Sequence, residues 1–89
     1  MKAIARTIEL LQSSANSSFA PFGVDEIITS LQSIKTKFEQ TGQLDTDQLS
    51  LLFGPTGSIQ EISIDNGWGD EFLELASEVD KITTNRMNR

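Results

Sequence analysis

The sequence predicts an all-α fold, a small bundle of four main helices with one further short helical turn. Three observations predict it. Large apolar residues recur at three- and four-residue spacing through most of the chain. Clusters of Gly, Pro, Asn and Ser interrupt that spacing between segments. The 89 residues carry 26 Ile, Leu, Val, Phe and Trp. At about 1.5–3 kcal/mol per fully buried side chain, that suffices for one core without a metal or crosslink.

In the first segment Ile4, Ile8, Leu11 and Ala15 form one helical face, and Ser13, Ser14, Asn16, Ser17 and Ser18 end it. Phe19-Ala-Pro-Phe-Gly23 reads as a loop with two anchoring aromatics, because Pro21 disfavours helix at Ala20. The second segment places Ile27, Leu31, Ile34 and Phe38 in one stripe. Asp25 or its predecessor is expected to cap its start, and Gly42 to stop it in a left-handed conformation. Asp45 opens a third, shorter helix, with Gln48 three residues on and Leu49, Leu52 and Phe53 facing inward before Gly54-Pro55. Ser58-Ile-Gln-Glu61 has capping-box spacing and favours one or two helical turns. Ile62-Ser-Ile64 alternates, so a short strand stays open there. Trp68, Phe72, Leu75, Val79 and Ile82 give the last helix the cleanest period, with Asp65 or Asn66 as its expected cap. Its acids Asp70 and Glu71 and its bases Lys81 and Arg86 suit the helix dipole. Residues 83–89 have no pattern and read as the frayed end of a single helical domain spanning 1–89.

The net charge of −6 is unevenly distributed. Residues 1–37 sum to +1 and residues 81–89 to +3, whereas residues 38–80 hold ten acids and no base. On the last helix Asp70, Glu74 and Glu78 lie four residues apart, an acidic stripe beside the Trp68 stripe. One reading is a solvated face. The other is a docking surface for a basic protein, such as a toxin or a nucleic-acid enzyme, since opposite charge speeds encounter. Trp68 also has two readings. Its apolar stripe makes it core, and its glycine-flanked setting makes it a rim aromatic. The candidate partner-binding residues are Glu61, Asp65, Trp68, Asp70, Glu71, Glu74 and Glu78.

The missing residue types narrow the chemistry. With no His or Cys there is no imidazole base, thiolate or Cys/His zinc site. Carboxylates and Lys alone remain to activate a nucleophile, so an enzyme is not expected. Gly54-Pro-Thr-Gly-Ser58 lacks the Lys of a phosphate loop, and Asp65-Asn-Gly-Trp-Gly-Asp70 lacks calcium-loop spacing. No cofactor is expected. An acidic last helix argues against direct nucleic-acid binding. Glu9 interrupts any leader-like apolar stretch, and no run is long enough to span a membrane. Absence of Cys fits a cytoplasmic setting.

Leu51-Leu-Phe-Gly-Pro-Thr-Gly-Ser-Ile-Gln-Glu-Ile62 resembles the LLSLFGGMGSLNDL-like stretch of a family of small uncharacterised bacterial proteins. Gly54, Gly57 and Ser58 match, while Glu61 replaces an Asp and Pro55-Thr56 replaces Gly-Met. The resemblance covers about a sixth of the chain by motif and implies a bacterial cytoplasmic helical protein, with no reaction attached. In size, acidity and helix content the chain is similar to the immunity proteins that neutralise nuclease bacteriocins, although it carries none of their sequence signatures. The functional expectation is a non-catalytic acidic binding module of immunity or inhibitor type. The alternative is a small homo-oligomer, a homodimer for instance, with Phe19, Phe22 or Trp68 at its seam.

Overall fold

Among the described residues five helices follow one another: α1 (Lys2–Gln12), α2 (Val24–Thr41), α3 (Thr46–Phe53), α4 (Ser58–Asp65) and α5 (Gly69–Met87). The computed structural model describes residues 2–17, 20, 22–54 and 57–87. Phe19 and the Pro55-Thr56 part of the turn lie outside the described residues, as do Asn88 and Arg89. No strand occurs among the described residues, so the all-α expectation holds. No helix among them is long and apolar enough to cross a membrane.

The apolar stripes converge on one core. Ile4, Leu11, Ile27, Leu31, Leu49, Ile59 and Ile62 are essentially inaccessible, and Phe72 and Val79 close the core from α5. α5 packs against α1, α3 and α4, and α1 also packs on α2. Phe53 of α3 stacks on Phe72 of α5 with ring centroids 6.3 Å apart, an offset arrangement that adds specificity to apolar burial. Thr7 is fully buried yet satisfied, because its hydroxyl donates to the Ala3 carbonyl at 2.7 Å.

Two terminators follow the sequence closely. Asp45 caps α3 by accepting from the Gln48 N–H at 3.0 Å. Gly42 ends α2 at φ 74°, and its N–H donates to the Phe38 carbonyl at 2.8 Å.

Elsewhere, partners distant in sequence override local capping signals. α2 is capped by Asn16, not Asp25: the Asn16 Oδ1 accepts from the Val24 N–H at 2.7 Å, with Gly23 as the extended flanking residue. Ser58 does not close a capping box with Glu61. It is the first helical residue of α4, and its Oγ accepts from the Phe22 N–H at 3.1 Å. Asn66 and Asp65 do not cap α5. Asn66 instead closes α4, with its N–H donating to the Ile62 carbonyl at 3.0 Å.

The α4–α5 connection is a sharp corner built on Gly67. At φ 82° Gly67 takes the left-handed conformation that a side chain resists. Its N–H donates to Ile64, and the Trp68 N–H donates to Ser63 at 2.9 Å, the paired pattern of a Schellman motif. Trp68 then supplies the carbonyl that accepts the first α5 bond, from Phe72 at 2.9 Å. No residue therefore separates the end of one helix motif from the start of the next.

The segment from Ser58 is an eight-residue helix of about two turns, as its capping-box spacing favoured, and not the short strand that stayed open; Ile59 and Ile62 are both inaccessible on its inner face. Residues 83–87, expected to fray, continue α5. Thr83 extends the buried stripe one turn past Val79, and its hydroxyl donates to the Asp80 carbonyl.

Gly57 precedes α4 where three backbone carbonyls crowd it. A Cβ there would lie 3.0–3.1 Å from the carbonyl oxygens of Gly54, Leu52 and Leu51. Backbone oxygens cannot rotate away, so Gly57→Ala is expected to destabilise the protein by about 1–3 kcal/mol, measured by urea unfolding. Asn66 holds the corner to the segment that follows α1. Its Oδ1 accepts from the Ala15 N–H, and its Nδ2 donates to the Ala15 and Ile62 carbonyls, each at 2.9 Å. Asn66→Asp keeps the acceptor but turns an oxygen toward two carbonyls. Its expected cost is about 1–3 kcal/mol at neutral pH, and a melting curve like that of the parent would refute the clamp.

Candidate functional site

The sequence singled out residues from α4, the corner and the first three turns of α5. The structure brings these together because the corner folds α5 directly back from the end of α4. It does not present all of them to solvent.

Trp68 is core. It is 9% exposed, and its indole N–H donates to the Ser14 Oγ at 2.9 Å. Ser14 in turn donates to the Leu10 carbonyl at 2.7 Å, so the indole joins the C-terminal turn of α1. The rim reading of Trp68 is thereby corrected: both its apolar body and its polar edge are engaged within the chain.

Glu71 is also engaged. The Arg6 guanidinium donates to both carboxylate oxygens, Nε to Oε2 at 2.7 Å and Nη2 to Oε1 at 3.2 Å. This bidentate pair tethers α1 to α5. The hydrogen bonds from Arg6 hold the Glu71 carboxyl below the ordinary carboxylate range, outweighing the opposing desolvation, and the same bonds raise Arg6. A group poised to donate a proton would be shifted the other way.

The remaining candidates present differently. Asp65, Asp70, Glu74 and Glu78 are exposed, and Glu61 is half-buried. Among the described residues none of these five is in an ion pair; Arg6 alone forms such pairs, with Glu9 and Glu71. Asp70 gains from the helix N-terminus, but Glu74 and Glu78 lie too far along α5 to share that benefit. The result is an acidic surface at the corner and along the outer side of α5 that makes no ion pair among the described residues; Lys81, three residues past Glu78, is the base nearest to it along α5.

Two functional candidates were missed from the sequence. Ile64 is 57% exposed on the outer side of α4, and Leu73 is 61% exposed on α5. Both stand out of phase with the core stripes. Leu73 follows Phe72 directly and is absent from the series Trp68, Phe72, Leu75, Val79. That phase error was the available signal. Ile64 was obscured by its pairing with Ile62 in a strand-like alternation.

Two depressions lie elsewhere. One of about 600 Å³, lined by Lys37, Gly42, Gln43 and Asp45, opens where α2 gives way to α3. A neighbour of about 400 Å³ is lined by Ser30, Ser33, Ile34 and Gln48. Both are open to solvent, and Asp45 there is occupied as the cap of α3. Among the described residues no group of three or more acids gathers in a way that could hold a metal ion.

No protein-family model matches the chain, and no curated protein or solved structure matches it.

Titration provides a check on the Arg6–Glu71 pair. A lowered folded-state pKa contributes stability that is fully present above the ordinary Glu pKa and is lost as pH falls through the lowered value. Carboxyl-carbon NMR of Glu71 is expected to show a midpoint below that of a free glutamate. Arg6→Ala is expected to return it toward the ordinary range; a midpoint indifferent to Arg6 would contradict the pairing.

Proposed function

We propose that this protein is a non-catalytic acidic binding module that occludes a basic surface on another protein, in the manner of an immunity or inhibitor protein. One observation carries the reading. The exposed acids Asp65, Asp70, Glu74 and Glu78 run from the corner along α5 without an ion-pair partner among the described residues. Glu61 borders the same surface. Like charges four residues apart on a helix cost about 0.2–0.5 kcal/mol per pair. Asp70–Glu74 and Glu74–Glu78 both have this spacing, so the stripe is a small burden on folding that a basic partner would relieve. The buried Trp68 and the paired Glu71 act in this reading as positioning residues. They fix the angle of α5 relative to α1 and leave the contact to the exposed acids.

Lys- and Arg-rich faces on toxins and nucleic-acid enzymes supply the complementary charge. Long-range attraction raises the encounter rate, and salt weakens it. Self-association through this face is disfavoured, because a two-fold axis would set the same acids against each other. A bacterial cytoplasmic setting fits this role and the resemblance around Gly54–Ser58, and direct contact with nucleic acid does not.

The test is capture of a basic protein from the native host at low and high salt. A basic partner retained at low salt and released at high salt is expected. Against that partner, the double charge reversal Glu74→Lys, Glu78→Lys is expected to slow association by about tenfold or more at low salt. Unchanged association would remove these residues from the contact, and failure to retain any basic protein at low salt would overturn the proposal.

A further inference from the structure

The corner contains a glycine that the fold does not require. Gly69 opens α5 with an ordinary backbone, outside the left-handed region occupied by Gly42 and Gly67. A Cβ there would meet only Ile64, with Cγ1 at 3.7 Å and Cα at 4.0 Å, which is normal van der Waals contact. Gly57 shows the opposite situation, with backbone oxygens at 3.0–3.1 Å. Alanine would therefore fit at position 69, where helix propensity also favours it over glycine.

What the missing Cβ provides is a dimple. Ile64 forms one wall of it. Leu73 stands one helical turn further along α5 on the same side. Ile64 and Leu73 are two of only four large apolar side chains that the described residues expose. A short apolar strip thus runs from Ile64 across the half-buried Gly69 backbone to Leu73. Acids take neighbouring helical positions on both sides: Glu61 and Asp65 stand three residues before and one after Ile64 on α4, and Asp70 and Glu74 three before and one after Leu73 on α5.

Resting on the acidic-docking reading above, we infer that the Ile64–Gly69–Leu73 strip is the apolar centre of that docking surface and receives an amphipathic helix of the partner protein. The occupant would have one narrow apolar stripe flanked by Lys and Arg. Two features select it. The strip is about one side chain wide, which matches the apolar face of a helix and not a broad flat patch. The bordering carboxylates require positive charge directly beside the apolar stripe, the arrangement a basic amphipathic helix presents. An apolar side chain seated over Gly69 would be ringed by water-excluding contacts, as interface anchors are. The acids then govern encounter, and the dimple governs residence.

A synthetic helix tests this without the natural partner. The probe is a Leu/Lys peptide of about 18 residues with leucines on one face at helical spacing. The control is the same composition shuffled so that the leucine stripe is lost. Titration followed by NMR at low salt is expected to move the Ile64, Gly69 and Leu73 signals most. The striped probe is expected to bind about tenfold or more tightly than the control, and Leu73→Ser to remove most of that advantage. Gly69→Ala, which leaves the fold intact by melting temperature, is expected to weaken the striped probe by about threefold and leave the control unchanged. Equal binding of both peptides, indifferent to Leu73→Ser and Gly69→Ala, would overturn the dimple and leave the acidic-docking reading standing. Absence of binding by either peptide at low salt would overturn both.

Discussion

Ser14, Ala15 and Asn16 supply polar partners to three other parts of the chain, and the arrangement of the helices depends on them. The Ser14 hydroxyl accepts the Trp68 indole N–H. The Ala15 backbone exchanges two hydrogen bonds with the Asn66 side chain. The Asn16 carboxamide caps α2. One short stretch after α1 thereby fixes the start of α2, the end of α4 and the start of α5. Apolar burial drives these helices together but is indifferent to small rotations among them. Directional bonds at the ends of three helices remove that freedom. Arg6 adds a fourth tether, a turn and a half back along α1, through Glu71.

This dependence explains which features the sequence could disclose. The inner faces of the helices were legible because periodicity is a local property: Ile4, Ile8 and Leu11, then Ile27, Leu31 and Ile34, then Phe72, Leu75 and Val79 are all buried as their spacing requires. Ala15, assigned to the first stripe, is exposed and already beyond the helix. Capping was legible only where donor and acceptor lie within one turn, as at Asp45 and Gly42. Asp25, Ser58 and Asn66 had equally good local credentials. Each lost its expected role to long-range geometry, since Asn16 reached α2 first and Ser58 and Asn66 were drawn to Phe22 and Ala15. A side chain that caps locally in an isolated peptide bonds instead to whichever backbone group the tertiary fold leaves unsatisfied.

The candidate site divides along the same line. Its acids were visible from the charge partition alone, because ten acids without a base is a property of sequence. The division of those residues between interior and exterior was not. Trp68 and Glu71 face the first helix and its C-terminal segment, and Asp70 and Glu74 face away. All four lie within two turns of one another, so helical phase relative to α1 decides their roles. Ile64 and Leu73 complete the picture from the opposite direction, as apolar residues that the phase places outside the core.

Rigidity of the corner matters for any contact made there. A binding surface formed from the end of one helix and the start of another keeps its shape only if the angle between them is fixed. Here the angle is over-determined. Gly67 sets the turn through its left-handed backbone, the Schellman pair closes α4, and Trp68 begins α5 while anchored to Ser14. The acids on the outer side therefore approach a partner without first having to be ordered, which limits the entropy lost on association. The opposing cost is the mutual repulsion of those acids in the free protein. Stability is drawn from the inner side of the corner, where polar groups are paired, so the outer side can carry unpaired charge without loosening the fold.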